Sequence, residues 1–402
     1  GLEEVGLEAL AELRSRAFVR TSGPGPLDTV ESQHDGLATA FVCDVPRERL
    51  RAIHETLAHE LARRDADPEV LAFHYEAADD REAAAKHAVV AAVAASDTFA
   101  FDRAVRLYRR ALELVGADHP ERSLLLVALA DALANDGRGT EAGRAYLQAL
   151  RTAPADQTLE LRRRAADQLL RSGKIDEGLE QLGLVLREVD LTLPASPVVA
   201  TAALVWRRLQ IRVRGAKFLE REQARVSPSA LLRIDTCWVA ATGLTLVNVV
   251  LGQAFQALHL LLALRAGEPY RVARALGMEV LYATTAGEPG ARTIAKGLAE
   301  LQSLARRLDD PRALGTAALA EGAAELYRGR FLEARPKLQR AERILRERGS
   351  NVAWELSMTQ TFQVMVDYYL GKLESMIDTI EASLEDLRTV GLGNTVEEIH
   401  NS

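Results

Sequence analysis

The chain has 402 residues, too many for one compact hydrophobic core, so two or more domains or an elongated array are expected. Its 48% hydrophobic and 27% charged residues are values of a folded protein, which excludes wholesale disorder. The formal net charge of −7 argues against a nucleic-acid coat. Cys43 and Cys237 indicate no disulfide framework, so we expect small core residues in a reducing, cytoplasmic compartment.

The first segment has the pattern of a helix, a β-hairpin and a second helix. The sequence opens in the helical stretch LEEVGLEALAELRSR without the pattern of a signal peptide, and we expect a piece of a longer protein. AFVRT and DTVESQ are two short strand patterns, and residues 23–26, Gly-Pro-Gly-Pro, form a loop between them because they cannot continue a helix. HDGLATAFV follows as a helix. A helix followed by a hairpin is typical of the end of a winged-helix unit.

Beyond residue 46 nearly every segment has a helical pattern. In FDRAVRLYRRAL, residues 101–112, the apolar positions recur at the spacing of one helix face. GTEAGRAYLQAL, residues 139–150, and IDEGLEQLGLVL, residues 175–186, align with it, and small residues coincide at Ala104, Ala142 and Gly178. This period is close to that of tetratricopeptide repeats, in which helical hairpins stack because one pair cannot bury its apolar face. The alternative is an all-helical bundle without repeats.

One apolar stretch, residues 236–264, is long enough to cross a membrane. Polar side chains interrupt it, and each of them would cost free energy in lipid. They are Thr242, Asn248, Gln253, Gln256 and His259. We therefore predict buried helices of a soluble core rather than a span.

Motifs for metal binding and catalysis do not emerge from the sequence. HETLAHE resembles a zinc motif, but His54 and His59 are five residues apart and point to different helix faces. No phosphate-binding loop, kinase signature or nucleophile elbow occurs. We therefore predict a chain that is not an enzyme, with no catalytic residue, cofactor or metal of its own.

The strongest charge feature is the basic run WRRLQIRVRGAKFLEREQAR, residues 206–225. A solvated helix face with salt bridges is one interpretation of it. The other is a docking site for an acidic partner or for phosphate groups. Without aromatic interleaving or a recognition helix, direct nucleic-acid binding is disfavoured. The candidate partner-docking residues are Arg207, Arg208, Arg212, Arg214 and Lys217.

The order of motifs resembles one family of large bacterial proteins. SQHDGLATAFVCDVPRERLRAIHETLAHELA is similar to the segment after the nucleotide-binding domain of STAND-type ATPases, with Gln33 in place of the usual aromatic residue. Residues that carry this match are His34, Asp35, Val45, Pro46, Arg51, His54, Leu57 and Ala58. The entry into the family's repeats is matched by His74, Tyr75, Ala77 and residues 104–112, with Asp79 where glycine is common. Residues 258–276 are similar to a stretch of multidomain bacterial Ser/Thr kinases.

The resemblance implies an all-α superhelix of tetratricopeptide-like hairpins behind a winged-helix-like element with one short β-hairpin. The implied domains are a winged-helix remnant with a connecting helix (1–62), repeats (63–190), a basic helical connector (191–226) and a second set of repeats (227–402). ATP and Mg²⁺ would bind only upstream domains of a parent ATPase or Ser/Thr kinase. This region would then be a cytoplasmic regulatory arm that binds a protein, peptide or small effector. A pure interaction scaffold, or the repeat region of an ATP-binding LuxR-type transcription regulator, is the alternative.

Overall fold

The computed structural model describes residues 2–22, 30–33, 36, 45–245, 247–284, 291–348 and 352–389. These residues form one antiparallel pair of strands, β1 Val19–Thr21 and β2 Val30–Ser32, and eighteen α-helices. The helices are α1 Leu2–Ser15, α2 Arg47–Ala62, α3 Pro68–Ala77, α4 Arg81–Asp97, α5 Phe101–Val115, α6 Arg122–Asn135, α7 Gly139–Ala149, α8 Thr158–Arg171, α9 Ile175–Glu188, α10 Pro197–Arg214, α11 Pro228–Thr245, α12 Val249–Ala266, α13 Pro269–Thr284, α14 Ala291–Leu308, α15 Pro311–Tyr327, α16 Phe331–Arg348, α17 Ala353–Tyr369 and α18 Leu373–Thr389.

Two compact units divide the chain, one of residues 1–91 and 113–115 and the other of residues 92–112 and 116–402. In the first unit, α1 leads into the strand pair, in which Arg20 lies opposite Glu31, so the predicted helix and hairpin are confirmed. The predicted loop 23–26, the helix HDGLATAFV (apart from Gly36) and Cys43 lie outside the described residues. A small core around Ala58, Leu71 and Tyr75 holds α2 against α3.

The second unit is a row of helical hairpins. The two helices of each hairpin pack against each other in the pairs α6/α7, α8/α9, α11/α12, α13/α14, α15/α16 and α17/α18. Successive hairpins are joined by contacts of α7 with α8, α12 with α13, α14 with α15 and α16 with α17. The first helices also touch along the row, α13 against α15 and α15 against α17. The buried side chains form several local clusters rather than one centre. The predicted all-α array of helical hairpins is therefore confirmed.

Small residues lie where helices approach closely, as the aligned repeats predict. Ala104 and Ala142 are completely buried. At Gly178 of α9 a Cβ atom would lie 2.6 Å from Cγ of Leu170 on α8, and at Gly243 of α11 it would lie 2.5 Å from Cδ1 of the same leucine. Leu170 fills the space left by two missing side chains, so helices of two hairpins can pack around it.

The apolar stretch 236–264 is divided between two helices of this row. Residue 245 ends α11, and the Asn248 side chain caps α12 by accepting hydrogen bonds from the amides of Val250 and Leu251. Among the described residues, α12 alone is long and apolar enough to cross a membrane, and 61% of that stretch is buried inside the protein. It packs against α10, α11 and α13, which fits the predicted core helices.

The predicted connector consists of α10 and an extended segment that includes a short 3-10 helix, Gln223–Arg225. The α10 helix packs against α12, the second helix of the α11/α12 hairpin. Gly267 ends α12 with a φ of 77°, and a Cβ atom there would lie 2.0 Å from the carbonyl oxygen of Leu219. Glycine is required at this position by both the left-handed backbone and the close approach, which fix the connector against the row.

A candidate ligand cavity lined by arginines

The first helices of six hairpins enclose a polar cavity of about 260 Å³ in the second unit. Asp131 and Ala134 come from α6, and Tyr146 is the one contribution of a second helix, α7. The remaining lining residues lie on α8, α11, α13, α15 and α17. They are Glu160, Arg163, Arg164, Asp167, Gln168, Arg171, Asp235, Trp238, Tyr270, Arg271, Arg274, Arg312 and Glu355. We refer to this space, with these lining residues, as the arginine cavity.

At one end of the arginine cavity, Glu160 holds two arginines of its own helix α8. Its carboxylate accepts from Arg163 at 2.8 and 2.7 Å, and from Nε of Arg164 at 2.8 Å. Nη1 of Arg164 also donates to Asp131 at 3.1 Å, and the Tyr146 hydroxyl donates to the same carboxylate. Burial raises the pKa of the Tyr146 hydroxyl, and the charge of Asp131 raises it further, so this tyrosine stays protonated and donates.

Asp235 of α11 lies at the centre of the arginine cavity. Arg271 donates to it from Nε at 3.0 Å and from Nη2 at 2.6 Å, and Arg274 donates from Nη2 at 2.5 Å. Burial alone would raise the pKa of this carboxyl, but the charges of Arg274 and Arg163 and the hydrogen bonds from Arg271 hold it well below its usual value. Asp235 is therefore ionised, and it joins α11 to α13.

Aromatic rings and guanidinium groups stack next to this carboxylate. The guanidinium of Arg312 lies 3.9 Å from the ring centre of Tyr270, and that of Arg274 lies 4.9 Å from the ring centre of Trp238. Cations over ring faces are attracted by the quadrupole of the ring. Trp238 also meets Trp354 of α17 edge to face at 5.0 Å. This contact brings α17 close to α11, although α13 and α15 lie between them in the sequence.

Glu355 of α17 differs from the other carboxylates of the arginine cavity. It is 5% exposed and forms no ion pair with any described side chain, whereas each of the other lining carboxylates contacts an arginine. Burial raises the pKa of the Glu355 carboxyl, and the charges of Arg171 and Arg274 oppose this only partly. A buried carboxyl of this kind binds a proton or a cationic group more readily than an exposed one.

Three of the five predicted docking residues make contacts within the protein. Nη1 of Arg207 donates to the carbonyl oxygen of Ala254 at 2.8 Å, and burial lowers the pKa of this guanidinium. Arg208 pairs with Glu279 of α13. Nη2 of Arg214 donates to the carbonyl oxygen of Leu264, near the end of α12, at 2.9 Å. These arginines join α10 to α12 and α13, so their contacts explain them without a partner.

The other two predicted docking residues are exposed. Arg212 lies on the open side of α10, and Lys217 borders an open depression of about 530 Å³ between the connector and α14. Glu220 and Arg307 form an ion pair at its rim, and Phe218 belongs to its apolar lining. Among the described residues that line it, the depression has no cluster of buried charges like that of the arginine cavity. Docking at this surface remains a prediction.

His54 and His59 are predicted to point to different helix faces, and their contacts agree with this prediction. His54 and His74 approach with their Nδ1 atoms 2.8 Å apart, and His59 instead lies edge to face with Tyr75. Within the described ranges, no group of three or more histidine, cysteine or carboxylate side chains is arranged to hold a metal ion. Cys237, predicted as a small core residue, is fully buried, and burial raises the pKa of its thiol to about 12.

Comparison with known proteins adds no family to this description. No family model matches the chain, and no curated protein matches it. Among solved structures, the crystal structure of BtubC (BKLC) from P. vanneervenii is similar over 75% of this chain and 91% of that chain. The sequences are 16% identical and the TM-score is 0.28, a similarity too low to carry an argument about function.

Proposed function

We propose that this chain is a non-catalytic, effector-binding regulatory region of a multidomain bacterial signalling ATPase. The observation that carries the proposal is the arginine cavity, because its lining comes from six hairpins. A molecule bound there would contact several hairpins at once and would favour the arrangement of hairpins that it fits best. Such a difference in affinity between two arrangements is what allosteric control requires.

The output of this regulation follows from the resemblance of the sequence. A winged-helix-like element would pass the change to an upstream STAND-type ATPase, which would bind ATP and Mg²⁺ and would belong to a Ser/Thr protein kinase. An ATP-binding LuxR-type transcription regulator is the other parent that shares this order of segments. In both cases we place the region in the cytoplasm, without a cofactor, metal or catalytic residue of its own.

The test is the ATP turnover of the parent protein after the arginine cavity is filled. Gln168→Trp places a large side chain into the cavity from α8, and Gln339→Trp places the same side chain on the exposed surface of α16. We expect Gln168→Trp to change ATP turnover or its response to cell extract, and Gln339→Trp to leave both unchanged. Equal turnover and equal response in the two variants would contradict the regulatory role.

A second candidate function, a pure interaction scaffold, is favoured by α10. Its open side exposes Val205, Trp206, Leu209 and Val213, each by at least half of its surface. Exposed apolar residues that follow one another along a helix are typical of a protein contact. Trp206→Arg would weaken a scaffold contact while leaving ATP turnover unchanged, and measuring both separates the two functions.

A further inference from the structure

Glu355 and its surroundings define what kind of molecule fits the arginine cavity. The Glu355 carboxyl has no ion-pair partner among the described side chains, although it is almost completely buried and lines the cavity. Three neighbouring first helices present titratable or charged groups to it. These groups are Asp167 and Arg171 of α8, Tyr270 and Arg274 of α13, and Arg312 of α15.

The guanidinium groups near Glu355 are not fully hydrogen-bonded. Arg274 donates from Nη2 to Asp235, but its buried Nε has no hydrogen-bond partner among the described residues. Nε of Arg171 is ion-paired with Asp167 at 2.8 Å, although its N–H is not directed at that carboxylate oxygen. A buried donor without an acceptor is destabilising. A ligand that brings acceptor oxygens to this place would remove that cost.

Each of the six arginines of the arginine cavity contacts a carboxylate among the described residues. Asp131, Glu160, Asp167 and Asp235 line the cavity, and Glu268 and Asp310 contact its arginines from outside the lining. A simple anion would add a second negative charge beside Glu355, and a simple cation would leave the free guanidinium donors unpaired. A molecule that carries both charges satisfies the carboxyl and the donors together.

We propose that the arginine cavity binds a zwitterionic small molecule, an α-amino acid, with its ammonium group at Glu355 and its carboxylate at Arg274 and Arg171. An α-amino acid carries both charges in one small molecule, and Glu355, Arg274 and Arg171 line the same cavity. The cavity of about 260 Å³ has room for a small molecule the size of an amino acid. This proposal rests on the proposed function because it takes the cavity as the effector site.

The proposal fixes the sign of the pH dependence of binding. An ammonium group favours the ionised form of Glu355, so binding releases the proton that this carboxyl holds when it is buried alone. Affinity for the amino acid therefore increases as the pH rises through the pKa of Glu355. A simple anion would behave in the opposite way, since it binds best while Glu355 is protonated.

The experiment is a binding screen on the full chain at constant ionic strength. Trp206 is exposed, so Trp206→Phe leaves Trp238 and Trp354 at the arginine cavity as fluorescence reporters. Each standard α-amino acid is titrated singly, with succinate, sulfate and putrescine as single-charge-type probes. We expect at least one amino acid to change the fluorescence and raise Tm, with at least tenfold weaker effects from succinate, sulfate and putrescine.

Variants locate the binding site and test the role of each charge. Glu355→Gln removes the partner of the ammonium group, so we expect at least tenfold weaker binding without pH dependence. Arg274→Gln, or Arg171→Gln if the former is unstable, weakens binding at least tenfold, whereas the exposed control Arg225→Gln leaves it unchanged. If no amino acid binds, or if Glu355→Gln leaves the affinity for the amino acid and its pH dependence unchanged, the proposal is wrong.

Different results would contradict the proposed ligand class and the proposed regulatory role. If no amino acid binds but Gln168→Trp still changes the ATP turnover of the parent, the ligand class is wrong and the regulatory role stands. If an amino acid binds through Glu355 but ATP turnover does not respond to it or to Gln168→Trp, the regulatory role is wrong and the ligand class stands.

Discussion

The seams between packed helices and the arginine cavity are both buried, but they consist of opposite residue types. At the seams, leucines such as Leu170 and Leu338 fit against glycines on neighbouring helices. In the cavity, arginines and carboxylates compensate one another around an open space. Buried ion pairs are often no more stabilising than apolar residues of the same size. The seams therefore account for the fold, whereas the cavity requires a reason other than stability.

The largest expected effect is the loss of the central carboxylate of the cavity. Asp235→Ala leaves Arg271 and Arg274 with buried positive charge, so the free energy of unfolding should fall by about 3–5 kcal/mol. Urea denaturation measures this, and Asp156→Ala, at an exposed position, is the matched control. A loss below about 1 kcal/mol, the value of a surface ion pair, would show that the cavity is hydrated like a surface.

A seam substitution should have a smaller effect, with opposite signs at two glycines of α9. Gly178→Ala places a Cβ atom against the fully buried Leu170, which should cost about 1–3 kcal/mol of stability. Gly183→Ala meets no atom within 4 Å and should gain up to about 1 kcal/mol from helix propensity. Thermal unfolding of both variants is the measurement. A gain at both positions would mean that the helices do not pack as closely as described.

The basic run of α10 allows a smaller comparison between a contact arginine and an exposed one. Arg207→Ala removes the hydrogen bond to Ala254, so stability should fall by about 1 kcal/mol. Arg212→Ala should stay within about 0.5 kcal/mol of the original chain, as expected for an exposed position. If chemical denaturation gives the same loss for both, the arginines of this helix are not distinguished by their contacts.

The smallest expected effect on stability is that of Glu355→Gln, and it depends on pH. The folded pKa of Glu355 is raised, so its contribution to stability is fully present below the unfolded pKa and is lost as the pH rises through the folded pKa. The stability of Glu355→Gln relative to the original chain should therefore improve with rising pH. Denaturation curves over a pH series measure the difference in stability between Glu355→Gln and the original chain. Burial raises the pKa of Asp136 to about 6, but this residue is present in both chains, so its contribution cancels in the difference. A difference that does not change with pH would contradict a buried, unpaired carboxyl.

The hairpins could be predicted from the sequence because their signals are local. The spacing of apolar residues predicts helices α5, α7 and α9, and the aligned small residues Ala142 and Gly178 predict that these helices pack closely against their neighbours. Each of these features depends on residues that are neighbours in the chain.

The arginine cavity could not be predicted, because its residues meet only after the row of hairpins has formed. Glu355 and Arg171 belong to helices far apart in sequence, and nothing in their spacing indicates that they face one another. The basic run of residues 206–225 is visible in the sequence because few acidic residues lie near it. Arg163 and Arg164 form no such run, since Glu160 on the same helix balances their charge. One available signal was the presence of charged residues in first helices that otherwise pack in the core.

Amide hydrogen exchange of the full chain, with and without a mixture of the standard α-amino acids, tests the central claim most directly. If the arginine cavity is a ligand site, exchange should slow in the first helices that line it, α6, α8, α11, α13, α15 and α17, and stay unchanged in α10. Exchange that is unchanged in all six helices, or that slows only at α10, would contradict the account.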